Sequence, residues 1–247
     1  MNYEITDIQI EDFIKCPIYY NFRHNNKNFS INKKTSYKDL VLRVAYAFCT
    51  HLIDGEILSE EQIKKKWNFI CKQHRDELSD KQVIEGFSLL MMFYKWAAQT
   101  RLTVIDTKMA FCTVFHLAGD SLEIRGEIGI ITANKNQQME ELIINFSNNA
   151  PDQAILDKSL RITMDHVAFY STYKQQLIGT KVIHVKTGKE YYTIRDPESE
   201  SKRLAKIGYN IAKAIKSNIW YPHESALCSK TCEVKDFCRM WGTEAFG

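Results

Sequence analysis

Apolar positions in the first hundred residues recur every three or four places, whereas after Leu102 they alternate, so a helical stretch followed by strands is expected. Thr6 and Gln9 have capping-box spacing ahead of Ile10, Phe13 and Ile14, predicting a short helix that runs into Cys16-Pro17. Leu40, Val41, Val44, Ala45, Phe48 and Leu52 form one stripe, expected as a helix from Ser36 to Ile53. Ser59 with Gln62 and Ser79 with Gln82 open two more periodic segments, one carrying Ile63, Trp67 and Ile70, the other Ile84, Phe87, Leu90, Met91 and Tyr94. Strands are expected at Thr103–His116, Ser121–Thr132 and Glu140–Ser147. A helix over Ser159–Gln176, short strands at Lys181–Val185 and Tyr191–Ile194 around Thr187-Gly188, and a helix over Glu198–Ser217 complete the order.

This order favours one α/β domain spanning 1–247: a mainly helical elaboration at 1–101, an α/β core at 102–219, and a cysteine-rich closing segment at 220–247. The chain has 45% hydrophobic and 26% charged residues, which disfavours wholesale disorder. Only 10 Gly and 4 Pro leave little room for a flexible linker. A net charge of +3 does not by itself argue for nucleic acid, so that case must come from local sites. The start lacks a basic, then apolar, leader and no window is long and apolar enough to span a bilayer, so a soluble, intracellular protein with no membrane contact is expected.

The 7 cysteines, an odd number, fit poorly with a fully paired disulfide framework. Cys228, Cys232 and Cys238 form a C-x3-C-x5-C cluster whose thiolates can meet one metal centre, and Cys16, just before Pro17, is the best fourth donor. Zinc and iron–sulfur both suit such ligands; the alternative is free thiols with Cys16 as a small buried hydrophobe. Cys49, Cys71 and Cys112 lie in apolar-periodic elements and are expected to be packing residues.

The opening Phe13-Ile-Lys-Cys16-Pro17-Ile-Tyr19-Tyr20, the basic Ile215-Lys216, the Trp220-Tyr221-Pro222 step and the final cysteine triplet resemble the RecB-like, iron–sulfur branch of the PD-(D/E)XK nuclease superfamily. The resemblance covers nearly the full chain and implies a nuclease-like mixed sheet stapled by a [4Fe–4S] cluster on Cys16, Cys228, Cys232 and Cys238, with zinc as the alternative.

The family's catalytic pattern departs here. Members carry Gly-x-hydrophobic-Asp on one strand and hydrophobic-Asp-x-Lys on the next, because carboxylates hold Mg²⁺ or Mn²⁺ against the scissile phosphate and the lysine acts on the attacking water. This chain has Gly126-Glu127-Ile128-Gly129 at the first motif, so Gly129 stands at the aspartate. At the second, Asn145 stands at the aspartate and Ser147 at the lysine, and the family's Gln-x-x-x-Tyr reads His166-Val-Ala-Phe-Tyr170. Glu127 and Glu141 are the acids from which a relocated site could be built, with His166 or Lys158 nearby.

Lys202, Arg203, Lys206, Lys213 and Lys216 recur at helical spacing and are the candidate phosphate-tracking stripe; Lys64-Lys65-Lys66, His74-Arg75 and Lys158 with Arg161 are further basic groups. The leading expectation is a catalytically inactive nuclease-like iron–sulfur protein that binds DNA or serves a nucleic-acid-processing assembly in the cytoplasm, a host cell's if the chain is of phage or mobile-element origin. The alternatives are an active metal-dependent DNA exonuclease using Mg²⁺ or Mn²⁺ on relocated ligands, and a purely structural interaction subunit.

Overall fold

The computed structural model describes residues 2–26, 36–117, 119–225, 228, 232–235 and 238. It is an α/β chain with a mixed sheet and, among the described residues, eight helices. The order is β1 (Asn2–Thr6), α1 (Asp7–Lys15), α2 (Pro17–His24), α3 (Tyr37–Ile53), α4 (Glu60–Gln73), α5 (Asp80–Thr100), β2 (Thr103–Leu117), β3 (Asp120–Ala133) and β4 (Met139–Asn145). Then follow α6 (Gln153–Asp157), α7 (Leu160–Tyr173), β5 (Thr180–His184), β6 (Lys189–Thr193) and α8 (Pro197–Lys216). Two compact units divide the chain: 1–33 with 111–126 and 198–247, and 34–110 with 127–197.

In the first unit β1 runs parallel to the first half of β3, from Asn2 opposite Ser121 to Thr6 opposite Arg125. Thr6 then caps α1: its hydroxyl accepts the Gln9 N–H at 3.2 Å and the Gln9 side chain accepts the Thr6 N–H at 2.9 Å. Cys16 both closes α1 and precedes α2, whose first residue is Pro17, where a missing N–H costs nothing. α8 comes so close to the sheet that a Cβ on Gly208 would stand 2.8 Å from Leu122 and 3.2 Å from Ile124. Tyr20 stacks on Trp220 with centroids 5.7 Å apart, and Tyr19 donates to Glu233 at 3.2 Å, so the tail is held at α2. The undescribed remainder of the 220–247 segment lies outside the described residues.

In the second unit the latter half of β3 is antiparallel to β4, β4 is parallel to β5, and β5 is antiparallel to β6. One apolar cluster joins Leu40, Val44 and Phe48 of α3, Trp67 of α4 and Phe93 of α5 to Ile130, Leu142 and Ile183 of the strands. Ser59–Gln62 and Ser79–Gln82 form the expected capping boxes of α4 and α5. The parallel step from β4 to β5 needs a long connection, which α6 and α7 provide.

Several boundaries correct the sequence reading. β1, α2 and α6 were not expected. β4 stops at Asn145, leaving Ser147 outside it, because the Asn145 side chain turns back to accept the Ser147 N–H at 2.8 Å. α7 stops at Tyr173 because Lys174 is left-handed at φ 56°. The last hairpin strand is Lys189–Thr193 instead of Tyr191–Ile194, with Gly188 at φ 67° in the turn. Cys49 and Cys71 are buried as expected, but Cys112 is exposed: strand alternation places it on the face opposite buried Phe111 and Thr113.

Candidate functional site

The nuclease-motif positions fall on β3, β4 and the turn after it. At Gly129 a Cβ would stand 2.7 Å from the Tyr46 hydroxyl of α3, so the place from which an aspartate would project is taken by a phenol. The ring carbon bearing that oxygen is 3.9 Å away, an ordinary contact. Gly129→Ala is therefore expected to cost about 1–3 kcal/mol of overpacking, and that cost should shrink by more than half in a Tyr46→Phe background. Urea midpoints of the four proteins test this; an equal cost in both backgrounds would put the strain elsewhere.

Asn145 and Ser147 are engaged locally. The Ser147 hydroxyl donates to the Asn149 carbonyl, and the Ser147 carbonyl accepts from His184 Nε2 at 3.1 Å. A carbonyl only accepts, so His184 Nε2 is the donor in this bond, and Nδ1 lies 2.8 Å from Thr187 Oγ1. Neither Asn145 nor Ser147 contributes a charge.

Glu141, the acid visible in the β4 sequence, is buried. Its Oε2 accepts from Thr180 Oγ1 at 2.8 Å, and Thr180, having given its proton, accepts from His166 Nε2 at 2.8 Å. His166 Nδ1 has no partner among the described residues. Burial, with help from the Arg195 charge, pushes the His166 imidazole down to about 4, so it is neutral at physiological pH.

Against Glu141 lies the carboxyl of Asp165, also buried, one helical turn from Arg161, whose Nε donates to Asp165 Oδ2 at 2.9 Å. Asp165 Oδ1 has no partner among the described residues. Burial raises Asp165 well above the ordinary aspartate range and the Glu141 charge raises it further; burial raises Glu141 too. Two carboxyls in contact cannot both ionise cheaply, and the Arg161 charge partly offsets the rise in both. The cluster sets two buried carboxyls beside one guanidinium. Arg161, paired with Asp165, takes up part of the negative charge that a divalent cation would seek. Glu127 is exposed on β3, where its main-chain carbonyl accepts from Arg161. Of the motif positions, Gly129, Asn145 and Ser147 bring no charged ligand for Mg²⁺ or Mn²⁺.

Sequence reasoning singled out Glu141, His166 and Arg161 but missed Asp165, Thr180 and Tyr46. An acid inside the apolar run Ile162–Phe169, four residues after an arginine, was the available signal.

The second assembly belongs to the first unit. Cys232 is buried enough to raise its thiol, and Cys228, Cys16 and Cys238 each raise it further, so the four sulfurs share one neighbourhood. The Cys16 sulfur accepts the His223 N–H at 3.5 Å and the Cys228 sulfur accepts the Ser225 N–H at 3.3 Å. Among the described residues no group of three or more His, Cys, Asp or Glu side chains is already set to hold a metal ion. The donor set itself, four sulfurs with N–H support, fits a thiolate-held cluster or zinc.

On α8, Lys202, Lys206, Lys213 and Lys216 are exposed within about 80° of arc, while Arg203, about 100° from Lys202, pairs with Glu200 at 2.7 Å. Lys216 lies over the Tyr3 ring at 5.1 Å, and Lys213 is close enough to Asp120 to help lower its carboxyl. No helix of the described residues is long and apolar enough to cross a membrane.

No protein-family model matches the chain, and no curated protein matches it. Among solved structures, the chain is similar to that of SSO0001, at 12% identity and a TM-score of 0.40, over 83% of this chain and 97% of that one.

Proposed function

We propose that the chain is a catalytically inactive PD-(D/E)XK nuclease-like iron–sulfur protein that binds DNA or serves as a subunit of a nucleic-acid-processing assembly. The observation that carries this reading is the residues on the motif strands: Gly129, Asn145 and Ser147 bring neither carboxylate nor lysine, and the buried acid Asp165 is paired with Arg161. The phenol against Gly129 supports it, since the first motif aspartate has neither a residue nor room. A nuclease without metal ligands keeps its fold but loses the means to polarise a phosphodiester.

Cys16, Cys228, Cys232 and Cys238 would hold the [4Fe–4S] cluster, with zinc as the alternative occupant. When bound, the group supplies a covalent tie between the chain's beginning and its end. The α8 lysines supply the electrostatic part of DNA binding.

Anaerobically purified, cluster-loaded protein is expected to leave end-labelled single- and double-stranded DNA intact in Mg²⁺ or Mn²⁺, beside an active family member that cuts it. Metal-dependent cleavage that Glu127→Ala or Glu141→Ala abolishes would overturn the reading in favour of a relocated active site. Absence of DNA binding even at low salt, with a protein partner co-purifying, would favour a purely structural subunit.

A further inference from the structure

The apolar stripe of α3 faces the core, and its other side carries Asp39, Arg43, Tyr46 and Thr50 at spacings of four, three and four residues. These line a cavity of about 470 Å³ whose opposite wall includes Thr107 and Lys108 of β2. Thr50 Oγ1 donates to the Tyr46 carbonyl at 3.0 Å, so it accepts from Thr107 Oγ1 at 3.2 Å, and this bond clamps helix to strand at the cavity wall. Arg43 and Lys108 are exposed and have no carboxylate partner among the described residues; Lys108 Nζ stands 6.0 Å from the Tyr46 ring centroid. The Tyr46 hydroxyl, half-buried, makes no hydrogen bond among the described residues and is left as a donor. Asp39 is the one acid of the lining, so the cavity keeps a net positive charge. Lys108 is left-handed at φ 57° inside a strand, a conformation that side chains avoid. The chain thus tolerates strain where a lysine is presented to the cavity.

We propose that this cavity is a binding site for a phosphate group of a nucleic-acid strand, held by Arg43 and Lys108 with the Tyr46 hydroxyl as the neutral donor. A guanidinium offers two parallel N–H groups to phosphate oxygens and an ammonium a point charge, and neither needs a metal. The site rests on the nucleic-acid reading above and deepens it, placing one contact beside the degenerate β3 motif, since Tyr46 is also the residue against Gly129.

The test is fluorescence anisotropy with a single-stranded oligonucleotide, with and without a 5′-phosphate, on the wild type, Arg43→Gln, Lys108→Gly and the α8 double variant Lys206→Gln/Lys213→Gln. Glycine suits the left-handed backbone, so loss of binding in Lys108→Gly is not a folding defect. Arg43→Gln and Lys108→Gly are each expected to weaken strand binding by about tenfold, as loss of a charge-assisted phosphate contact does. Unchanged affinity in both, while the α8 variant binds less tightly, overturns the cavity and leaves the DNA reading standing. Wild-type protein that binds no strand overturns both. Inorganic phosphate that binds as tightly as the oligonucleotide, measured by calorimetry, overturns the assignment to nucleic acid in favour of a small-anion pocket.

Discussion

Cys232→Ser is expected to abolish bound iron and visible colour in protein purified without oxygen, and to lower the melting temperature by about 10 °C or more. Cys232 is the sulfur whose neighbours are the other three of the set, one of them at position 16 and two in the tail. Tying these together closes nearly the whole chain into one loop, and closing a loop longer than a hundred residues removes about 4–5 kcal/mol of unfolded-state freedom. Among the described residues the tail is held by side-chain and single hydrogen-bond contacts, among them the Tyr19–Glu233 hydrogen bond, the Tyr20–Trp220 stack, the His223 contacts to Cys16 and Ile14, and buried Val234. They do not replace a covalent tie. Cys112→Ser, which removes an exposed thiol of β2, is the control and should leave iron content and melting unchanged. Iron and sulfide analysis with thermal melts decides it; a Cys232→Ser protein of normal colour and stability would remove the cysteine staple from consideration.

The second large effect is a pH dependence centred on α7. His166 is held at about 4 when folded, against an ordinary value of 6.5, so between these limits the unfolded chain binds a proton that the folded chain refuses. Stability therefore rises with pH across that window, by about 3 kcal/mol in all, and the gain is complete above the unfolded value. Arg195 is fixed beside this site by donating to Thr163, Thr193 and two carbonyls, so its charge cannot move away when the imidazole protonates. The Glu141–Asp165 pair acts in the opposite sense: both are raised, the folded chain keeps a proton the unfolded chain loses, and stability falls as pH rises above the ordinary carboxylate range. His166→Gln should flatten the acid side of the stability profile and Asp165→Asn the side above it. Guanidinium unfolding at a series of pH values reads both, and a His166→Gln profile parallel to the wild type would mean the imidazole is not held neutral.

The helical half of the fold was legible because its signals are local. A Thr or Ser hydroxyl three residues ahead of a glutamine satisfies donors within one turn, whatever the rest of the chain does, and the boxes at Thr6, Ser59 and Ser79 formed as written. β1 was illegible because five residues of alternating burial become a strand only by pairing with β3, more than a hundred residues away. α2 was hidden by Pro17, which reads as a helix stop yet serves as a helix start. At the site, Glu141 stood out as a charge in an apolar strand, but its burial against Asp165, itself paired with Arg161, depends on α7 folding over β4, which no spacing announces. The Tyr46–Gly129 contact was likewise a tertiary fact: an absent aspartate is visible in the sequence, but the group that fills its space is not.

The partition of the chain has a consequence for proteases. The first unit takes three separate stretches of sequence and the second takes two, and the crossings between residues 110 and 111 and between 126 and 127 fall inside β2 and β3. Strands paired in a sheet are poor protease substrates, because cleavage needs several residues pulled free of their ladder. A single nick at an exposed loop, such as the one after β3 at Asn134–Gln138, leaves both pieces held by folded structure. Neither unit can be released as an intact fragment by one cut, so a digest that starts from native protein should show nicked chains that still migrate together until denaturant is added.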